Sequence, residues 1–281
     1  MPAPASAVLT SSRTVKEILT RHGFVVSKSL GQNFLCDASV LRSIVDAAEP
    51  DGEDVLEIGP GLGVLTDALA ARAATVTAVE AARRLEPILR ETLARHANIT
   101  IRFADFLHVP SSELPDRKFV VAANLPYSIT TPVLFRFLDG DIAWKRIVVT
   151  IQAEVAERLA ARPSTHEYGA LSVSAQAAAS VEIIRRIPSS SFWPRPKVES
   201  AIVRLTPRPR DKPSNLRLVL RTAFSSRRKT MRNAVAPLPG GSEALKKSGI
   251  SEIRRPETLS VEEWIDLARL MAPAPDVALG S

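Results

Sequence analysis

Four consecutive residues, Asn124-Leu125-Pro126-Tyr127, set an amide, a proline and an aromatic ring at the end of a short apolar run, 119–123. The run reads as a buried strand. The Asn124 oxygen can accept one N–H of an amino group on a flat base. The carbonyl of Leu125 or of Pro126 can accept the other, and Tyr127 can stack on the ring. An exocyclic amine is a poor nucleophile, because its lone pair is delocalised into the ring. Two fixed acceptors can orient it towards an electrophile without a strong base. A strand followed by a proline turn, with Asn124 as turn former, explains the same residues.

Upstream, Glu57-Ile58-Gly59-Pro60-Gly61-Leu62-Gly63 closes one apolar run and opens a segment of helical character. Glycines there let the backbone turn sharply and let a ligand approach it. Glu80 ends the next run, at the spacing where a carboxylate can accept from both hydroxyls of a ribose. Asp105 follows the third run and can accept from the amine of a cofactor adenine. A helix cap or a solvated turn is the plainer explanation of either acid. Glycines and acids together do not separate a nicotinamide dinucleotide from S-adenosyl-L-methionine. The full G-x-G-x-x-G spacing is absent, and no Lys-Ser/Thr pair follows to make a phosphate loop. A nicotinamide oxidoreductase has no use for the paired acceptors of Asn124-Leu125-Pro126-Tyr127, whereas an amino-methylating enzyme does.

The elements that must carry these residues follow an alternating rhythm. Short Val-, Ile- or Phe-rich runs at 54–58, 75–79, 99–104, 119–123 and 146–151 alternate with helical segments such as 62–72 and 84–96. That rhythm predicts an α/β, Rossmann-like fold with a mostly parallel sheet covered by helices on both faces. Runs 181–187 and 200–205 suit a closing pair at one edge, which could run antiparallel. Segments 14–22 and 38–48 read as helices, with Asp37 capping the second. Beyond the proline-punctuated stretch 207–213 no strand is evident. Helices are expected at 215–224, 227–236, 243–248 and 261–271, the last capped by Ser260 with Glu263 three residues on. The expected organisation is a disordered leader at 1–12, a catalytic domain at 13–207 and a small helical domain at 208–281.

The net charge of +7 is concentrated. Between Arg204 and Arg232 ten basic residues are opposed by Asp211 alone, so this stretch carries +9 and the rest of the chain −2. Such a patch suits a polyanionic partner, although a solvated helix face accounts for it too. The N-terminus has no basic n-region, and no apolar run approaches the roughly 20 residues that span a bilayer. Cys36 is the lone cysteine, which excludes an intrachain disulfide, and the four histidines share no ligand spacing, so no metal site is expected. A cytoplasmic protein without a membrane partner is the simplest account.

Together these motifs resemble the KsgA-type small-subunit ribosomal RNA adenine N6,N6-dimethyltransferases, over nearly the whole chain from about Ser29. Residues 29–37, Ser-Leu-Gly-Gln-Asn-Phe-Leu-Cys-Asp, are similar to the family's N-terminal signature, as are 168–173 and the Phe-Trp-Pro-Arg-Pro-Lys-Val-Glu-Ser run at 192–200. The resemblance implies S-adenosylmethionine contacts from Gln32, Asn33, Leu35, Gly59, Gly61, Glu80, Asp105 and Asn124. It implies a seven-stranded methyltransferase sheet, and a target base held between Tyr127 and Phe192. The run 223–230 is similar to the family's basic helix, which makes Arg221, Arg227, Arg228, Lys229 and Arg232 the expected RNA contacts. Ala82 stands where the family usually has an acid that would support Glu80. The implied activity is dimethylation of two adjacent adenosines near the 3′ end of 16S ribosomal RNA, within a pre-30S particle, by a monomer. An erythromycin-resistance-type enzyme acting on large-subunit RNA and a non-catalytic assembly factor are the competing expectations.

Overall fold

The computed structural model describes residues 9–26, 33–115, 117–140, 142–208, 212–225 and 229–271. They form two compact units, one of 1–156 with 182–206, the other of 157–181 with 207–281.

In the first unit α1 (Ser12–Arg21), β1 (Phe34–Leu35) and α2 (Ala38–Ala48) precede the sheet. Asp37 caps α2, accepting from the N–H groups of Ser39 and Val40 at 2.8 and 3.2 Å. Then come β2 (Asp54–Ile58), α3 (Val64–Ala70), β3 (Thr75–Glu80), α4 (Glu86–Thr92), β4 (Ile99–Phe103), β5 (Phe119–Asn124), α5 (Thr130–Asp139), β6 (Trp144–Gln152) and α6 (Ala153–Ala160). After α7 (Ala170–Ala178) the chain returns through β7 (Ala179–Ile187), β8 (Phe192–Trp193) and β9 (Ser200–Pro207).

The main sheet has seven strands in the order β4-β3-β2-β5-β6-β9-β7. Strands β2 to β6 pair in parallel, and β9 runs antiparallel to β6. Phe119 to Ala123 of β5 are all buried, as a central strand with both faces covered requires. The chain runs outwards from β2 through β3 to β4, then resumes on the other side at β5. That reversal opens a crevice at the carboxyl ends of β2 and β5. A separate two-stranded ribbon joins β1 to β8, with Phe34 opposite Trp193 and Leu35 opposite Phe192.

The second unit holds α7, the second half of α6, and α8 (Leu216–Ala223), α9 (Met231–Val235), α10 (Gly241–Ser248) and α11 (Val261–Leu270). Its core gathers Tyr168, Val173 and Ala177 with Leu220, Trp264 and their neighbours. The Tyr168 hydroxyl donates to the Leu259 carbonyl at 2.9 Å. Ser260 and Glu263 form the reciprocal cap expected for α11.

Three expectations change. The cut near 207 is not the only crossing, because the apolar faces of 157–181 pack with the C-terminal helices. In the expected leader, residues 1–8 lie outside the described residues, but Leu9 is fully buried in the core of the first unit. Arg204 is not part of an open basic patch. It sits on β9, where Glu49 and Glu182 pair with it.

Candidate active site

A single cleft at the carboxyl ends of β2, β3 and β5 gathers most of the chemistry-bearing residues. Asn33, just before β1, and Phe34 and Leu35 of β1 line one side, Gly59 and Gly61 line it from the loop after β2, and Glu80 and Asp105 from the strand ends beyond. Asn124, Leu125, Pro126 and Tyr127 close it.

The glycine loop is tight because its backbone must be. Gly59 and Gly61 have φ of +71° and +60°, a region that favours glycine. A Cβ on Gly59 would sit 3.5 Å from the Pro126 ring, and one on Gly61 would sit 3.4 Å from the Phe34 ring. The loop is therefore packed between the tetrapeptide and β1.

Glu80 is anchored by backbone donors. The Gly61 N–H donates to Oε2 at 3.2 Å and the Ala82 N–H to Oε1 at 2.8 Å. Burial raises the Glu80 carboxyl, and these N–H groups oppose the rise. The residue standing where the family usually has an acid thus supports Glu80 through its main chain. Asp105 lies at the rim, half exposed. It caps the turn 106–108, accepting from the Leu107 N–H at 3.0 Å, and meets His108 Nδ1 at 3.0 Å.

The tetrapeptide is held in an acceptor-forward arrangement. Asn124 Nδ2 donates to the Asn33 carbonyl at 3.1 Å, which leaves Oδ1 as the atom available to an incoming donor. The Pro126 carbonyl accepts from the Ile129 N–H at 3.1 Å and the Thr130 hydroxyl at 3.3 Å. Of the two carbonyls open on sequence grounds, Leu125 is therefore the better second acceptor. The Tyr127 hydroxyl lies 2.8 Å from Ser200 Oγ, and burial raises the phenol, so the ring is neutral and fixed.

Phe192 is not brought to the cleft. It is 4 % exposed, belongs to the core of the first unit and pairs with Leu35 across the β1–β8 ribbon. The ring packs inward and does not line the cleft beside Tyr127, so it presents no open face there for the expected sandwich. Gln32, Arg227 and Arg228 lie outside the described residues. Arg221, Lys229 and Arg232 are exposed on the second unit, with Glu252 4.0 Å from Arg232.

Sequence reasoning missed Phe34, Ser200 and Glu57. Glu57 had a signal, an acid directly before the glycine loop at the end of a buried strand. Among the described residues no helix is long and apolar enough to cross a membrane, and no cluster of metal-ligating side chains occurs.

The family model for ribosomal RNA adenine dimethylase matches residues 23–273. The chain belongs to that family. It is 42 % identical to proteins named ribosomal RNA small subunit methyltransferase A in Bacillus mycoides and Bacillus anthracis, over 94 % of this chain and 97 % of theirs. The fold is that of a dimethyladenosine transferase from Plasmodium falciparum, with TM-score 0.72 and 24 % identity over 83 % of this chain and 95 % of that one. The 23S rRNA methyltransferase ErmE is also similar, with TM-score 0.65 and 28 % identity over 85 % and 99 %. The expected α/β methyltransferase architecture with a helical C-terminal part is thus borne out.

Proposed function

We propose that this enzyme dimethylates N6 of two adjacent adenosines near the 3′ end of small-subunit ribosomal RNA, with S-adenosylmethionine as donor. The observation that carries this is the Asn124 amide, whose nitrogen is held by the Asn33 carbonyl so that its oxygen is left to accept in the cleft. The residues present fit the donor. Positive-φ glycines allow close backbone approach, Glu80 is poised for ribose hydroxyls, and Glu57 offers a buried oxygen with no partner. When bound, S-adenosylmethionine supplies an electrophilic methyl group on a positively charged sulfur.

The chain's own residues would do the rest by orientation. Asn124 Oδ1 and the Leu125 carbonyl accept the two N6 hydrogens and turn the nitrogen lone pair towards the methyl group. Positive charge then develops on N6, facing both oxygens, and the proton leaves to water. After the first methylation one N–H remains, so one acceptor still orients the amine for the second. The adenine must be unstacked from its RNA to reach the cleft, where Tyr127 offers a fixed face. Arg221, Lys229 and Arg232, with Arg227 and Arg228 of the same stretch, would hold phosphates without reading bases. A monomer acting in the cytoplasm on a pre-30S particle fits this reading.

The likeness to ErmE favours one alternative, the same chemistry on large-subunit RNA. The 42 % identity to small-subunit enzymes weighs more. Incubation with labelled S-adenosylmethionine and either undermethylated small subunits or large-subunit RNA decides. Label in N6,N6-dimethyladenosine of the small subunit is expected. Label only in large-subunit RNA would overturn the assignment.

A further inference from the structure

Glu57 is a cleft-lining acid that takes no part in the methyl-transfer step described above. It stands near the end of β2, 1 % exposed, and its Oε2 has no hydrogen-bond partner. Glu80 lies on the adjacent strand, two residues beyond Ala78, the register partner of Glu57. Its surroundings differ, since each Glu80 oxygen accepts a backbone N–H. Two buried carboxylates on neighbouring strands disfavour each other's charge, and the one with fixed donors keeps it. Burial pushes the Glu57 carboxyl up to about 8. Thr66, beside it but not aligned for a hydrogen bond, eases this in part, and the charge of Glu80 adds to it. No cation is among the groups acting on Glu57. Arg84 acts on Glu80 instead. Asp67 of α3, the helix that follows the glycine loop, is already occupied by Arg95 and His96.

We propose that binding of the methyl donor draws a proton off Glu57, so that the cleft acquires its counter-charge only when the cationic ligand is inside it. The inference rests on the S-adenosylmethionine reading above. That ligand brings a sulfonium and an ammonium against one carboxylate. A cation within roughly 4–6 Å favours the ionised form of a carboxyl group. The Glu57 proton passes to solvent as the ligand enters, and no covalent bond to carbon is made or broken. Before binding, a neutral acid avoids the cost of two adjacent buried anions.

Isothermal titration calorimetry of S-adenosylmethionine into the full chain, in buffers of different ionisation enthalpy, counts the protons. At about pH 6.5 the α-ammonium of the ligand is already charged and contributes none. The wild type is expected to release roughly one proton per ligand, with affinity falling up to about tenfold per pH unit below pH 8. Glu57→Gln is expected to release about one proton fewer. Infrared difference spectra of the wild type carry the same test without a variant, since a protonated-carboxyl band should vanish on binding. Binding without proton release, undiminished release by Glu57→Gln, or persistence of that band overturns the proposal. Failure of the ligand to bind at any pH overturns instead the cofactor reading on which it stands.

Discussion

In the proposed reaction Asn124 acts through which of its two ends is already taken. With Nδ2 held by Asn33, the amide oxygen is the end left for N6. Asn124→Ala is expected to lower the rate of methyl transfer by about 10²–10³, the usual loss for a preorganised polar group, while calorimetry still detects cofactor binding. Undiminished turnover would remove the amide from the mechanism. Glu57 makes a different prediction. Its folded carboxyl, at about 8, lies above the ordinary value of 4.5, so the folded state holds the proton more tightly than the unfolded chain. Its contribution to stability is fully present below about pH 4.5 and is lost as pH rises through about 8. Glu57→Gln escapes that loss, so its melting temperature should gain on the wild type from ~pH 5 to ~pH 8 and hold the gain above. Parallel melting curves against pH would disprove it. Asn124 was legible in the sequence because amide, proline and aromatic ring are contiguous. The state of Glu57 was not, because it depends on what α3 and β3 bring against the end of β2.

The β1–β8 ribbon shows how an element too short to have a period escapes sequence reading. The five parallel strands were visible as apolar runs, and α2 and α11 as capped helices. Two residues, Phe34 and Leu35, carry no such signal, yet they form one wall of the cleft. The role of Phe192 follows from its partner in the ribbon, Leu35. Phe192→Ala is expected to destabilise the first unit by about 3–5 kcal/mol, as removal of a buried aromatic ring does. Phe192→Leu retains apolar volume and should keep most of both stability and turnover. Were the ring instead to stack on the target base, the Leu variant would melt normally and lose turnover. Thermal melts and methyl-transfer rates on the same preparations separate these outcomes.

The whole molecule divides its labour by charge. The first unit builds a cleft lined by the acids Glu57, Glu80 and Asp105, which under the proposed function face a cationic donor. The second carries exposed cations, and α8 shows how they are displayed. It buries Leu216, Val219, Leu220 and Ala223 on one face and leaves Arg217 and Arg221 exposed on the other. The sequence made the excess of charge plain but overstated its extent, because Arg204 belongs to β9 and is held by two glutamates. If the exposed cations neutralise RNA phosphates, removing one such cation should lower the slope of log affinity against log salt by about 0.7–0.9. Replacing Arg221, Lys229 and Arg232 together with Ala should therefore weaken binding of small-subunit RNA and flatten its salt dependence, while affinity for S-adenosylmethionine stays unchanged. Filter binding across a salt series and calorimetry with the cofactor read these two quantities separately. An unchanged slope would mean that these three side chains do not meet phosphates, and that the grip on RNA lies elsewhere on the basic stretch.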